Sequence, residues 1–252
     1  MKSKILVFYK TTAEIQKEAE KIARQLKADL QGDHGNLIDT ESRHDVIIPI
    51  GGDGTVLHAE TQYPGIPKLP LGAGRLDFLS SAPLNKWKEI ISLFQKGNYS
   101  TEERLKIDLS KHSSLNEINF TKSSPGQLCT MEVYLDQKHR VTLRGDGVIV
   151  ATPTGSTAYA LSAGGSIIDP TLEVITIISV APFTGFTKPL ILPASKKIKL
   201  VSQSEGTLVI DGSTLKNFSK GAEFIITRSS ISAKFIRFDH QPNLYQKLQL
   251  LD

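Results

Sequence analysis

The hydrophobic pattern changes period partway along the chain, and that change limits the fold more than any other feature. Over the first hundred residues, short apolar runs alternate with stretches of helical periodicity. Ile5-Leu6-Val7-Phe8 is apolar throughout, as a parallel strand covered on both faces requires. Thr11 and Glu14 then form a capping box, and Ile15, Ala19, Ile22, Leu26 and Leu30 fall on one helical face. Val46-Ile47-Ile48-Pro49-Ile50 is a second strand, ended by Gly51-Gly52, and a third runs from Pro67 to Gly72. Leu84, Trp87, Ile90, Ile91 and Phe94 mark another helix, which Gly97 stops. Strands alternating with helices predict a parallel α/β sheet.

From about Glu103 the texture is short β-type runs separated by turns, among them Leu128 to Leu135, Gly147 to Ala151, Val174 to Val180 and Ala233 to Phe238. That pattern predicts a largely antiparallel, β-rich second domain. The expected division is an α/β nucleotide-binding domain over 1–100 and a β-rich domain over 101–252. A closing helix is expected over 242–251, packing back on the first domain.

Composition removes several classes. With 252 residues, 39% of them hydrophobic, the chain can bury a core without staples, and the single Cys129 excludes an internal disulfide framework or a multi-cysteine zinc site. A reducing, cytoplasmic compartment is the default expectation. Val174 to Phe183, the most apolar stretch, is broken by Thr176, Ser179 and Pro182, and a bilayer span needs about 20 apolar residues, so no membrane association is expected. A net charge of +4 suits an anionic substrate and is too small to imply nucleic acid as a partner.

Two constellations carry chemistry. Gly51-Gly52-Asp53-Gly54-Thr55 follows a buried strand directly. Glycines let backbone N–H groups approach a ligand, and the helix that follows, with Thr55 as its cap, offers a positive end to phosphate. A carboxylate there repels phosphate, so Asp53 needs a different role. It can take a proton from a hydroxyl, help to hold Mg²⁺, or simply form the turn. The second constellation is Arg144-Gly145-Asp146-Gly147, a strand, and then Thr152-Pro153-Thr154-Gly155-Ser156-Thr157-Ala158-Tyr159-Ala160-Leu161-Ser162-Ala163-Gly164-Gly165. Small side chains admit a flat ligand, hydroxyls supply donors and acceptors, and Tyr159 offers a ring. A plain loop rarely needs so many of these together.

Weaker signals accompany them. Asn116-Glu117 reads by itself as an exposed turn and Asp211-Gly212 as a common turn. His58, soon after the first glycine loop, either reaches a phosphate or is a satisfied imidazole. The P-loop, the His-Glu-x-x-His zinc motif and the hydrolase elbow are all absent.

Gly51 to Thr55, then Asn116-Glu117, then Asp146-Gly147 with Thr152 to Gly165, resemble the NAD kinase family in order and spacing, from about residue 45 onward. Gly74, Leu76, Phe78 and Leu79 resemble that family's Gly-x-Leu-Gly-Phe-Leu segment, and Leu244 to Leu248 its terminal helix. The resemblance implies an α/β domain, a β-rich domain and an active site in the cleft between them. It implies phosphoryl transfer from ATP or polyphosphate to NAD, with a divalent metal, Mg²⁺, and a homodimer or homotetramer. By position, Asp53 is the base for the adenosine 2′-hydroxyl and Gly54 lies against phosphates, with His58 and Phe78 nearby. Asn116 and Glu117 hold ribose and adenine groups, and Thr157, Ala158, Tyr159 and Ser162 line their pocket. Arg144 and Asp146 complete the site, in this family often across a subunit contact, and Gln127 and Ser213 fall at further binding positions.

The chain departs from the family pattern at four places. Gly72 replaces an Asn and Asp77 a Gly, while Phe183 replaces a His and Lys188 an Arg in the segment Pro182 to Pro189. Two other readings stay open on sequence alone: a lipid or sphingoid kinase, which shares the Gly-Gly-Asp-Gly-Thr loop, and a dinucleotide-binding regulator without catalysis.

Overall fold

A computed structural model describes residues 3–34, 43–74, 77–135, 139–239 and 242–249. It contains two compact units, Met1–Glu103 with Ile231–Asp252, and Arg104–Ser230.

In the first unit, five strands form a parallel sheet in the order Asp29–Asp33, Ile5–Lys10, Val46–Gly51, Leu71–Gly72, Ala82–Pro83. Val7, Ile48 and Ile50 pack on one face with Ile22 of the helix Ala13–Leu26 and Ile91 of the helix Trp87–Gln95. Leu6, Phe8 and Ile47 pack on the other with Ala59 of the helix Asp53–Gln62 and with Tyr63. Cover on both faces explains why these runs are apolar at every position instead of alternating.

Three local expectations change. Lys27 takes left-handed backbone (φ 54°) and ends the first helix at Leu26, so Leu30 belongs to the edge strand Asp29–Asp33 and not to the helical face. No capping box forms at that helix's start: Thr12 is the N-cap without a side-chain bond, and Thr11 Oγ1 donates to the Asp33 carbonyl (3.4 Å). The strand expected over Pro67 to Gly72 shortens to Leu71–Gly72 with an isolated bridge at Lys68.

That bridge bears on the domain division. The Lys68 N–H donates to the Lys234 carbonyl (2.8 Å), and the Lys68 carbonyl accepts from Ile236 N–H (2.7 Å). Ser81 Oγ also donates to the Ile236 carbonyl (2.6 Å). The strand Ala233–Arg237 is thereby built into the first unit, and the second unit ends at Ser230. The closing helix spans Leu244–Leu248, with a capping box between Asn243 and Gln246. Leu250 and Leu251 lie outside the described residues.

The second unit is antiparallel throughout, in two six-stranded sheets. One runs His139–Gly145, Cys129–Leu135, Ile198–Ser202, Glu223–Arg228, Ile107–Leu109, His112–Ser114; the other runs Leu190–Pro193, Val174–Val180, Gly147–Ala151, Glu117–Lys122, Gly206–Ile210, Ser213–Phe218. Cys129, Met131 and Val133 of the first sheet and Ile118, Phe120, Val148 and Val150 of the second share one core. Their spacing of two residues places them on one face of each strand. Ile149 and Ala151 face the other way and are covered by Ala160. The small-residue segment from Thr152 to Gly165 is thus laid against the outer face of the second sheet.

Candidate active site

In the first unit, the helix after the glycine loop begins at Asp53, with Gly52 as N-cap and no side-chain cap bond. Thr55 is therefore not the cap. It is buried, and its side chain fills the space where a Cβ on Gly51 would sit, which is why the strand must end in glycine. Asp53 is held from the opposite loop: Oδ2 accepts the Phe78 N–H and Oδ1 the Leu79 N–H, each at 3.0 Å. Burial raises the Asp53 carboxyl above the ordinary carboxylate range, against those two amides, and the Asp77 charge adds to the rise. A half-buried carboxylate fixed by two amides, with one lone pair left on each oxygen, can accept a proton at a defined place. Gly54 is exposed at the head of the helix. Phe78 joins the site through its backbone. His58 lies further along the helix with Nδ1 2.9 Å from the Asp33 carboxylate, the satisfied imidazole of the two expectations. Leu76 lies outside the described residues.

In the second unit, Asn116 and Glu117 are not an exposed turn. They are 8% and 6% exposed and open the strand Glu117–Lys122 at the centre of its sheet. Thr152 Oγ1 donates to the Leu115 carbonyl (2.5 Å), Thr152 N–H donates to the Asn116 carbonyl (2.9 Å), and Gly155 N–H donates to Thr152 Oγ1 (3.1 Å). Gly155 lies so close that an added Cβ would fall on the Asn116 carbonyl. These contacts bring the turn carrying Thr157 and Ala158 beside Asn116. Tyr159 is 44% exposed, so its ring face is available for stacking, and Ser162 is exposed as well.

The residue that organises this corner, Asp211, reads in the sequence as no more than a turn former. Asp211 and Gly212 both have positive φ (47° and 77°), the two-residue hairpin geometry that Asp-Gly favours. The carboxylate, however, turns inward. Its Oδ1 accepts Ser114 Oγ–H (2.6 Å), Asn116 N–H (2.8 Å) and Glu117 N–H (3.1 Å), and its Oδ2 accepts Leu115 N–H (2.8 Å). Burial raises the Asp211 carboxyl above the ordinary carboxylate range, and these four donors oppose the rise. Glu117, desolvated and beside Asp211, is pushed up to about 8, and its Oε2 is buried without a partner. A protonated Glu117 at neutral pH can donate through one oxygen and accept through the other.

Of the remaining expected residues, Arg144 and Asp146 do not gather at this corner. In the register, Ala151 opposes Glu117 whereas Gly147 opposes Thr121, so Asp146, one residue further, sits beyond the far end of the strand pair, about 17 Å from Glu117 at the usual rise per residue. There Lys122 Nζ donates to Asp146 Oδ1 (2.6 Å), and the Arg144 guanidinium lies 5.5 Å from the centre of the Phe183 ring. Phe183, in the place of the family's His, thus supplies a face for Arg144. Gln127 is exposed and accepts from Ser123 Oγ (2.5 Å), while Ser213, exposed, opens the strand that pairs with Ile210 at the Asp211 end.

Among the described residues, no three His, Cys, Asp or Glu side chains gather as a metal site.

Residues 6–99 match the ATP-NAD kinase N-terminal domain and residues 115–238 the ATP-NAD kinase C-terminal domain. An NAD kinase of Thermococcus sibiricus is 36% identical over 214 residues, 82% of this chain and 77% of that protein. A bifunctional NADP phosphatase/NAD kinase of Methanococcus maripaludis is 37% identical over 218 residues, 81% of this chain, and the match spans 38% of that longer protein. The crystal structure of an NAD kinase from Archaeoglobus fulgidus in complex with ATP superposes with a TM-score of 0.78 at 27% identity, covering 98% of this chain and 97% of the other. The chain belongs to the ATP-NAD kinase family.

Proposed function

We propose that this protein transfers the γ-phosphoryl group of ATP to the 2′-hydroxyl of the adenosine ribose of NAD, giving NADP and ADP. The observation that carries the reading is Asp53: a carboxylate at the head of a helix, after a glycine loop, with both oxygens oriented by the Phe78 and Leu79 amides. Magnesium bound with ATP would supply charge neutralisation on the phosphates. The 2′-oxygen forms its bond to the γ-phosphorus as the bond to the β-bridging oxygen breaks, and the hydroxyl proton passes to Asp53. In a loose transition state the base acts late, so placement of the hydroxyl carries more of the barrier than the strength of the base. Gly54 and the helix head receive phosphate oxygens. In the second unit, Asn116 and the protonated Glu117 hold ribose and adenine groups, and Tyr159 stacks on a ring.

The family match across 115–238 favours a dinucleotide over a lipid or sphingoid acceptor, because the Thr152 to Gly165 segment has no part to play with the latter. The same proposal includes a homodimer or homotetramer, with Arg144 and Asp146 facing a second copy, and a cytoplasmic setting. No described helix is long and apolar enough to cross a membrane. The deciding experiment is purified protein with ATP, Mg²⁺ and NAD, with NADP read through an NADP-specific dehydrogenase. Product at a rate that scales with enzyme supports the reading. No product from NAD or NADH, with ATP or polyphosphate, overturns it.

A further inference from the structure

Two of the four departures from the family pattern, Gly72 and Asp77, meet in space. The Asp77 carboxylate lies over three glycines: an added Cβ would stand 2.6 Å from its Oδ2 at Gly72, 2.5 Å from its Oδ1 at Gly74 and 3.4 Å from its Oδ1 at Gly52. Gly74 N–H donates to Asp77 Oδ2 (2.8 Å). The absence of side chains at these positions makes the room that the carboxylate fills.

From this we infer that Asp77 is a positioning residue for Asp53, its side chain occupying from across the loop the space that a side chain at position 72 would otherwise take. The chain path supports it. Phe78 and Leu79, the next two residues, give Asp53 its two amide donors. Their segment is fixed on one side by Asp77 on Gly74 and on the other by Lys247 Nζ, which donates to the carbonyls of Asp77 (2.9 Å), Phe78 (3.1 Å) and Ser80 (2.9 Å). Removing the Asp77 side chain frees the amides from one of these restraints. The inference rests on the proposed NAD phosphorylation for its kinetic consequence and on packing alone for the exchange between positions 72 and 77.

The test is a cycle of Gly72→Asn, Asp77→Gly and the double variant, read by kinetics and by melting temperature. Asp77→Gly is expected to lower kcat by about tenfold or more, the effect of a slightly misplaced reacting group, with KM for NAD within about twofold. Asp77→Asn, which can still accept from Gly74, is expected to keep most of kcat. Gly72→Asn places a side chain on the Asp77 carboxylate and is expected to melt lower than wild type. The double variant is expected to recover both melting temperature and kcat toward wild type. Additive losses in the double variant, or an unchanged kcat in Asp77→Gly, overturn the inference. Melting is read without turnover, so an inactive wild type strikes the functional reading while the melting cycle still decides the exchange.

Discussion

Asp211 accepts the Glu117 N–H at 3.1 Å, and its charge stands beside the Glu117 carboxyl, which is pushed up to about 8. One hairpin turn therefore fixes the position of the acid expected to hold the dinucleotide and adds to the rise that burial imposes on its carboxyl. Burial raises both carboxyls, but at Asp211 four donors oppose the rise, whereas Glu117 keeps a bare, buried oxygen.

Asp211→Asn is expected to be costly despite its matching shape. The amide nitrogen must face either the Leu115 N–H or the three donors on the other side. Each buried donor left unsatisfied costs about 1–3 kcal/mol. Thermal melting should show the loss, and KM for NAD should rise more than kcat falls. A variant with wild-type KM would separate this turn from substrate binding.

Glu117 gives a pH signature with a definite sign. Its carboxyl titrates near 8 in the fold against a reference of 4.5, so the folded protein holds a proton that the unfolded chain releases. Stability from this group is complete below pH 4.5 and declines as pH rises through 8. Glu117→Gln keeps a neutral group of the same shape and removes the titration. Denaturant midpoints of wild type and variant, measured across that range, should diverge with rising pH in favour of the variant; parallel curves would contradict the assignment.

Gly155→Ala places a methyl group on the Asn116 carbonyl, a backbone atom that cannot rotate away. Overpacking of this kind costs about 1–3 kcal/mol. By contrast, a Cβ at Gly54 meets nothing within 4 Å, so Gly54→Ala should fold as well as wild type and lose affinity for ATP instead. Melting curves and the KM for ATP distinguish the two.

How much of the fold and site is legible in the sequence depends on how far each cause lies along the chain. The Val46–Gly51 strand and the Asp53 helix are readable because apolar run, glycine pair and helix follow one another directly. Leu30 misleads because its spacing suits a helical face, while Lys27 leaves the helix by a backbone choice that spacing does not record. Asp211 is readable as a turn but not as an organiser, since its donors lie 94 to 97 residues upstream. Asn116 and Glu117 resemble exposed polar residues for the same reason: only the assembled sheet buries them. The Gly72 and Asp77 departures each read as a loss, and their compensation exists only in three dimensions.

Lys247 extends the site to the closing helix, because its three carbonyl contacts fix the segment whose amides hold Asp53. Lys247→Met should lower kcat by about tenfold to a hundredfold through misplacement, with KM for NAD little changed. Equal effects on KM and kcat would place the lysine elsewhere in the mechanism.

The most direct measurement of the proposed chemistry is the phosphorus NMR spectrum of the product formed from NAD and ATP by wild type and by Asp53→Asn. A single new phosphomonoester on the adenosine 2′-oxygen is expected. The rate in the variant is expected to be lower by about two to four orders of magnitude, as loss of a positioned proton acceptor entails, with NAD binding retained. A phosphate at any other position, or an undiminished rate in Asp53→Asn, would contradict the role given to Asp53.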